Sequence, residues 1–161
     1  MLPRLWVPAG PPFRSLAEEC SAWQERLPAD WELGRPFERA LLDAALAAME
    51  SLSNTQGEQV LLHQDLHGDN VLRARREPWL AIDPKPLVGE REFSLAPIIR
   101  SYEFGHNRAA VVRRLDVLSM SLRLDRERCR LWAMVQTLAW GFEGAMVYDK
   151  HVETARWLWE A

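Results

Sequence analysis

The sequence contains no apolar run long enough to cross a lipid bilayer, and residues 1–9 lack the apolar segment of a signal peptide. Cysteine is scarce as well. Cys20 and Cys129 fit no metal-binding spacing, and two cysteines without an export signal are expected to be reduced core thiols. A net charge of −3 lacks the basic excess of nucleic-acid-binding proteins. We expect a cytoplasmic protein with no membrane or nucleic-acid partner, whose weakly acidic balance suits a cationic small molecule.

Lysine and clustered glycine are missing from the first part of the chain. Of the 20 basic residues only Lys85 and Lys150 are lysines, and Gly10, Gly34 and Gly57 each stand alone. A glycine-rich loop that wraps phosphate groups is therefore not expected upstream of the middle of the chain. With 161 residues, 48% of them hydrophobic, the chain is long enough to form one domain around a sizeable core.

Residues 15–56 are predicted to form two helices. They follow residues 1–14, which hold four of the ten prolines and are expected to form an extended connector. Ser15 begins a capping-box pattern, and an apolar stripe at helical spacing continues to Pro28, where the first helix is predicted to end. A second helix is predicted to begin near Pro36, because proline is tolerated in a first helical turn.

Residues 92–161 are predicted to be a helical subdomain. Glycine and polar residues at 105–107 interrupt the apolar pattern. Asp125 is expected to cap a long helix whose apolar face includes Phe142 and Met146. The chain is therefore assigned to the α+β class and is expected to be mainly α-helical.

The segment at residues 57–83 carries most of the polar chemistry. It reads as an apolar run at Val60–Leu62, a polar loop, and two further short apolar runs separated by a turn. This pattern predicts three strands. Asp65 and Asn70 lie in the polar loop, and Asp83 closes the third strand. A hairpin would return Asp83 to the neighbourhood of the other two.

These three side chains suggest a reaction. The Asp83 carboxylate and the Asn70 amide oxygen are the hard ligands that Mg²⁺ accepts when phosphate and water complete its octahedron. Asp65 would remain free to accept a proton from, or to orient, an alcohol that attacks a terminal phosphoryl group. A simpler interpretation is that Asp65 and Asn70 only cap a tight loop, since both residue types are common in turns.

A third interpretation starts from the string DLHG at Asp65, which superficially matches the first metal motif of metallophosphoesterases. Such a site needs further clusters of Asp, Asn and His ligands downstream. His106 and His151 have no partner at a ligand spacing. Both are therefore expected to be structural or surface residues, and this interpretation is the weakest.

The string His63-x-Asp65-x-x-x-x-Asn70, followed by a strand that ends in Asp83, resembles the catalytic and metal-binding segments of the protein-kinase-like fold. More narrowly, HQDLHGDNVLRA followed by WLAIDPKPLVGE is similar to the aminoglycoside phosphotransferase family, in its streptomycin 6-phosphotransferase and hydroxyurea-resistance branch. The resemblance implies that Asp65 is the catalytic base, that Asn70 and Asp83 hold Mg²⁺, and that His63 supports the loop. It also implies ATP as co-substrate and an aminoglycoside-like acceptor.

Two positions depart from the family pattern. Gln64 stands where the family often has glycine, which places a demand on the backbone there. Ser94 stands where family members commonly have an aspartate that helps to hold the catalytic loop. Because a glycine-rich loop and a strand lysine are also missing upstream, the chain is expected to be the large lobe of the kinase-like fold without the small nucleotide lobe. It would then correspond to roughly the carboxyl-terminal two-thirds of a family member.

The remaining candidate residues are charged. Lys85 is either a cation near the nucleotide phosphates or a solvated loop residue. Carboxylates at the rim of a pocket would bind amino or guanidino groups of a substrate, although most acidic residues in an arginine-rich chain pair with arginine or face solvent. The acidic candidates for substrate binding are Glu90, Glu103 and Glu143, with Glu92 and Asp149 as further possibilities.

Two functions are thus compared. The first is phosphoryl transfer from ATP to a hydroxyl of an aminoglycoside-like substrate. The alternative is a truncated kinase-like lobe without activity, which serves as a binding module or is a remnant. In either case a large lobe without its companion should expose apolar surface near Asp83, through which the chain could form a homodimer.

Overall fold

The computed structural model describes residues 1–144 and 146–161, and these residues are mainly helical with three small antiparallel sheets. This agrees with the predicted α+β class. None of the described helices is both long and apolar enough to span a membrane. In chain order the elements are α1 (Leu2–Leu5), α2 (Leu16–Glu32), α3 (Arg39–Asn54), β1 (Val60–Leu62), β2 (Val71–Arg73), β3 (Trp79–Ala81), β4 (Leu87–Gly89), α4 (Ala96–Arg100), α5 (Arg108–Leu122), α6 (Arg126–Ala139), β5 (Phe142–Glu143), β6 (Met146–Val147) and α7 (Asp149–Trp159), with 3₁₀ turns at Gly68–Asn70 and Arg91–Leu95.

Helix α2 begins as predicted and ends later than predicted. The Ser15 side chain accepts from the backbone of Glu18, and the Glu18 side chain accepts from the backbone of Ser15, which completes a capping box. The helix continues through Pro28 to Glu32. Trp31, one turn beyond Pro28, is buried and its indole N–H donates to the Phe37 carbonyl at 3.0 Å. The burial of Trp31 outweighs the loss of one helical hydrogen bond at proline.

The expectation of an extended connector over residues 1–14 is wrong in part. A single helical turn, α1, buries Leu2. The chain then runs alongside β1, where the Leu61 N–H donates to the Val7 carbonyl at 2.9 Å. The Trp6 indole donates to the Ser94 hydroxyl at 2.8 Å. The first segment is therefore docked against the strand that leads into the polar loop.

Helix α6 is central to the core and is shorter than predicted. Asp125 caps it, and its side chain accepts from the Arg128 N–H at 3.0 Å. The helix ends at Ala139, so the predicted continuation through Phe142 and Met146 is wrong. Those two residues lie in a hairpin, β5–β6, whose turn includes Gly144 at φ 61°. Glycine adopts this left-handed conformation at little cost, which favours the turn over further helix.

The core is formed chiefly by α2, α3, α4, α6 and α7. Phe93 is fully buried between Trp132, whose ring meets it edge-on at 5.4 Å, and Trp23 at 6.2 Å. Cys20 and Cys129 are unpaired and buried, as the sequence predicts. Burial raises the pKa of the Cys20 thiol to about 12 and also raises that of Cys129. Both thiols are therefore protonated and unreactive at neutral pH.

The three predicted strands are present, but they form two sheets. β2 pairs with β3 as an antiparallel hairpin, whereas β1 pairs with β4. β1 therefore leads into the polar loop at residues 63–70, and β2 leads out of it. The return strand β4 follows soon after Asp83. This arrangement brings the chain on both sides of Asp83 back to the loop.

Candidate active site

The loop at residues 63–70 begins with a tight turn. The Asp65 N–H donates to the His63 carbonyl at 2.8 Å, and Gln64 between them has φ 63°. This left-handed conformation explains why glycine suits the position. Gln136 on α6 donates its amide N–H to the Gln64 carbonyl at 2.9 Å, and both residues are buried. A side chain distant in sequence therefore holds the strained turn.

Asn70 fastens the other end of the loop. Its side-chain amide nitrogen donates to the backbone carbonyl of Asp65 at 2.8 Å. Its backbone carbonyl accepts from the backbone N–H of Ile82 at 3.0 Å. Asp65 and Asn70 are both about 8% exposed. Because the side-chain nitrogen of Asn70 bonds inside the loop, the side-chain oxygen Oδ1 faces away from that bond. Oδ1 has no hydrogen-bond partner among the described residues.

Asp83 lies two residues beyond the end of β3 rather than inside the strand, because its φ of 51° ends the extended conformation. His63 contacts the residues on both sides of Asp83 and so connects them to the loop. The His63 ring Nε2 lies 2.9 Å from the Ile82 carbonyl, and the His63 carbonyl accepts from the Lys85 N–H at 3.0 Å. In the described part of the chain, no hydrogen bond or ion pair engages the Asp83 carboxylate. The structure thus brings the backbone of Asp83 beside that of Asn70.

Two cations flank Asp65. The Lys85 ammonium donates to Oδ2 of Asp65, and Nη2 of Arg100 lies 3.9 Å from Oδ1. Both cations also lie over the ring of Trp140, at 5.7 Å for Lys85 and 4.8 Å for Arg100. Burial lowers the pKa of the Arg100 guanidinium, and the charge of Asp65 opposes that effect. No spaced motif includes Arg100 or Trp140, so sequence reasoning could not assign either residue to the site.

A cavity of about 350 Å³ opens beside Asp65. Its wall includes His151, which was expected to be a structural or surface residue. Burial lowers the pKa of His151 to about 4, so the ring is neutral at pH 7, and its Nδ1 lies 2.7 Å from the Tyr102 hydroxyl. The cavity is lined by Asp65, His67, Asp69, Pro97, Arg100, Ser101, Tyr102, Glu103, Trp140 and His151.

The three acidic candidates differ in position. Glu103 borders the cavity and accepts from the Gly68 N–H at 3.0 Å. A Cβ on Gly68 would lie only 2.0 Å from a Glu103 oxygen, so a larger residue there would displace the Glu103 carboxylate from this position. Glu143 is exposed, accepts from the Tyr148 hydroxyl and does not line the cavity.

Glu90 does not line the cavity, in contrast to the sequence-based expectation that it lies at the rim of a substrate pocket. It is about 1% exposed and pairs with Arg128 at 2.8 Å. It also accepts from the Trp132 indole and from the Gly57 N–H. Every one of these partners is structural, because a buried carboxylate must be paired and hydrogen-bonded.

One group of side chains among residues 1–144 and 146–161 has the spacing of a metal site. Ligand atoms of His67, Asp69 and Glu103 all lie within 4.8 Å of one another. However, the Asn70 amide nitrogen lies 3.2 Å from Nε2 of His67. Since an amide nitrogen only donates, Nε2 accepts and the ring proton sits on Nδ1, facing the carboxylates. Nδ1 lies 3.8 Å from both the Asp69 and the Glu103 carboxylate, which is too far for a hydrogen bond. This single group of three ligands does not supply the several ligand clusters that a metallophosphoesterase needs.

Ser94 takes a different place from the one the family's aspartate would suggest. Its hydroxyl accepts from Trp6, and none of the described hydrogen bonds joins it to the loop at residues 63–70. Gln136 and His63 hold the loop instead. Loop rigidity therefore depends on contacts that the family comparison at position 94 does not reveal.

Exposed apolar side chains lie along the β2–β3 hairpin next to Asp83, as the sequence predicts for this face. Trp79 is 53% exposed and Leu72 is 48% exposed, and Leu80 and Ile82 are each 38% exposed. Leu72 and Leu80 pair directly across the hairpin, so two of these exposed apolar side chains adjoin.

Comparison with known proteins agrees with the resemblance. The sequence matches the family described as aminoglycoside/hydroxyurea antibiotic resistance kinase over residues 1–150. Streptomycin 6-kinase of Streptomyces griseus is 41% identical over 149 residues, which cover 87% of this chain and 48% of that protein. Hydroxyurea phosphotransferase of Kitasatospora aureofaciens is 40% identical over 139 residues, which cover 84% of this chain and 40% of that protein.

Streptomycin 6-kinase of Streptomyces glaucescens is 39% identical, with 85% of this chain and 47% of that protein covered. The chain thus spans about half the length of these relatives, which is less than the two-thirds expected from the sequence. No solved structure matches the chain significantly.

Proposed function

Because the chain belongs to the aminoglycoside/hydroxyurea antibiotic resistance kinase family, we propose that it catalyses transfer of the terminal phosphoryl group of ATP to a hydroxyl of a cationic, aminoglycoside-like substrate. The observation that supports this most is the arrangement of Asp65, Asn70 and Asp83. Hydrogen bonds among His63, Asn70 and Ile82 bring the three segments together. Of the three side chains, Asp65 also lines the cavity.

The residues fit a magnesium ion. The Asn70 amide nitrogen is occupied by the Asp65 carbonyl, which leaves the amide oxygen for a metal. The Asp83 carboxylate is exposed and has no partner among the described residues. Two hard oxygen ligands completed by phosphate and water are the usual protein contribution to a nucleotide-bound Mg²⁺. When bound, the ion would neutralise charge on the phosphates.

In this proposal Asp65 acts on the acceptor. Its carboxylate lines the cavity, so a hydroxyl group bound there can donate to it. The carboxylate orients the hydroxyl and accepts its proton as the oxygen attacks phosphorus. A positioned base of this kind typically contributes about 10²- to 10⁴-fold to the rate. His63 acts indirectly, because it fixes the backbone on both sides of Asp83.

The cavity suits a polar acceptor with a positive charge. Its rim carries Glu103 and Asp69, and aromatic rings of Tyr102 and Trp140 form part of the wall. Carboxylates attract amino and guanidino groups, and aromatic faces add cation–π attraction. Two of the relatives act on streptomycin and one on hydroxyurea, by their names. We propose the larger cationic substrate, because the cavity volume far exceeds a urea-sized molecule.

The alternative is an inactive lobe, since no glycine-rich loop or lysine precedes Asp65. The family match over residues 1–150 and the named activities of the relatives favour the phosphotransferase. The exposed hairpin face is compatible with a homodimer, and light scattering of the purified chain distinguishes a dimer from a monomer.

The proposal is tested by calorimetric titration with ATP in the presence and absence of Mg²⁺, followed by assay of phosphoryl transfer to streptomycin. Wild-type protein should bind ATP only with Mg²⁺, and Asp83→Ala should abolish that binding. Asp65→Asn should still bind Mg-ATP but lose about 10²- to 10⁴-fold in transfer. Glu143→Gln, outside the cavity, is the matched control. Absence of Mg²⁺-dependent binding at millimolar ATP would contradict the proposal.

A further inference from the structure

The two cations beside Asp65 occupy different environments. Arg100 is about 8% exposed, lies on α4 and stacks on Trp140. The Lys85 side chain is 50% exposed and donates one of its three hydrogens to Asp65. A guanidinium held by burial cannot move without opening the core. A half-exposed ammonium with two free donors can exchange its partner.

Lys85 is also tied to the nucleotide side of the site. It follows Asp83 by two residues, its N–H donates to the His63 carbonyl at 3.0 Å, and prolines on both sides restrict the backbone. The side chain therefore starts from a fixed point next to the proposed metal ligand and ends at the proposed base. An ammonium group in that position lies between the phosphoryl donor and the acceptor hydroxyl.

Trp140 supports this placement. It follows the last residue of α6, and its backbone N–H donates to the backbone carbonyl of Gln136 at 2.9 Å. Gln136 in turn donates to the Gln64 carbonyl in the loop. Trp140, whose ring lies beneath the Lys85 ammonium, is thus held at the end of the same helix whose Gln136 holds the turn before Asp65. Attraction between the ammonium and the ring limits the directions in which Lys85 can reach.

We propose that Lys85 is a catalytic residue that is shared between two anions, with Trp140 as its positioning residue. In the empty site Lys85 pairs with Asp65. When Mg-ATP binds, the ammonium turns to the terminal phosphoryl group and frees Oδ2 of Asp65 for the acceptor hydroxyl. This inference rests on the proposed function and assigns a role to the lysine that pairs with Asp65.

The bonding changes balance without a further reactant. The acceptor oxygen forms a bond to the terminal phosphorus, and the bond from that phosphorus to the bridging oxygen of ADP breaks. The hydroxyl proton passes to Asp65. Lys85 stays protonated throughout and contributes positive charge where negative charge is spread over the phosphoryl oxygens. A terminal phosphate carries more charge than one carboxylate, so it is the stronger partner for the ammonium.

The chain offers a direct spectroscopic test because Lys85 and Lys150 are its only lysines. Protein labelled with ¹⁵N at lysine Nζ should give two side-chain signals, which Lys150→Arg assigns. Adding Mg-ATP should shift the Lys85 signal in a saturable way, and by more than the Lys150 signal, whose ammonium lies 5.0 Å from the ring centroid of Tyr102 in the cavity wall. Trp140→Leu should remove the ring-current shift of the Lys85 signal in the empty protein. Trp140→Phe, which keeps an aromatic ring, should retain part of it.

A binding cycle gives a second readout. Lys85→Ala should weaken Mg-ATP binding about tenfold, and Lys85→Arg should weaken it less, because a charge-assisted hydrogen bond to phosphate is lost or altered. Asp65→Asn should tighten Mg-ATP binding severalfold in the wild-type background, since the lysine no longer has a competing partner. In the Lys85→Ala background the same change should have a smaller effect, and this coupling isolates the shared cation.

The outcomes separate the inference from the function it rests on. If Mg-ATP binds and the Lys85 signal moves, the shared cation is supported. If Mg-ATP binds while the Lys85 signal stays fixed and the cycle shows no coupling, Lys85 is only a structural partner of Asp65 and the inference is overturned, with the proposed function intact. If the wild-type chain binds no Mg-ATP, both are overturned.

Discussion

The helical core and the loop at residues 63–70 are stabilised by different interactions. In the core, large apolar side chains of α2, α3 and α6 are fully buried, and Phe93 stacks between two tryptophans. In the loop, the conformation depends on single hydrogen bonds from Gln136, Asn70 and His63 and includes a non-glycine residue at positive φ. Packing therefore supplies stability in one region, and polar contacts from distant residues supply geometry in the other.

The largest effect should come from the core. Trp132→Ala removes a fully buried ring and the indole that donates to Glu90. We expect a loss of about 4 kcal/mol in the free energy of unfolding, measured by urea denaturation. Met120→Ala, at a side chain that is 75% exposed, is the control and should change stability by less than about 0.5 kcal/mol. Equal effects would show that burial does not distinguish these sites.

The next effect tests a buried ion pair between α6 and the segment that follows β4. Arg128→Met leaves the Glu90 carboxylate buried without its cation. We expect a loss of about 3 kcal/mol in unfolding free energy, because an unpaired buried charge is costly. Arg126→Met removes a pair with Asp116 in which both side chains are well exposed, and it should cost less than about 1 kcal/mol. A small effect of Arg128→Met would mean that Glu90 is not held by this pair.

The cavity wall should make stability depend on pH. Burial lowers the pKa of His151 to about 4, whereas an unfolded histidine titrates near 6.5. The unfolded state therefore binds the proton first, so the contribution is complete above about pH 6.5 and is lost as pH falls toward 4. We expect a loss of about 2 kcal/mol over this window. Urea denaturation at several pH values should show a smaller slope for His151→Gln, and an unchanged slope would contradict the assignment.

The smallest effect has opposite signs in the two regions. Gln64→Gly should stabilise the protein by about 1 kcal/mol, because glycine adopts the left-handed conformation without strain and the Gln64 carbonyl keeps its bond to Gln136. Ala47→Gly on the exposed face of α3 should destabilise it by about 1 kcal/mol. Thermal denaturation of both variants checks the pair. Destabilisation in both would show that Gln64 is not strained.

Local patterns predict the features that depend on neighbouring residues. The capping box at Ser15, the cap at Asp125 and the buried Cys20 and Cys129 are all found, because each follows from residues within one or two turns. Helix periodicity also locates most of the core. The predicted end of α2 at Pro28 is wrong, because the burial of Trp31 stabilises the helix beyond the proline.

Features fixed by distant contacts could not be predicted. Nothing near Arg100 or Trp140 in the sequence shows that they meet at Asp65, since α4 and the end of α6 come together only through packing. Glu90 looked available because its pairing with Arg128 spans 38 positions. The predicted roles of Asp65, Asn70 and Asp83 stay predictions, although their segments do converge.

The most direct test of the account is to locate a bound divalent ion. Adding Mn²⁺ with ATP to ¹⁵N-labelled protein should broaden the amide signals around Asp65, Asn70 and Asp83 and leave those of α2 and α3 sharp, and Asp83→Ala should remove the effect. Broadening centred on His67 and Glu103 that persists in Asp83→Ala, or no ATP-dependent broadening at all, would contradict the proposed metal and phosphate site.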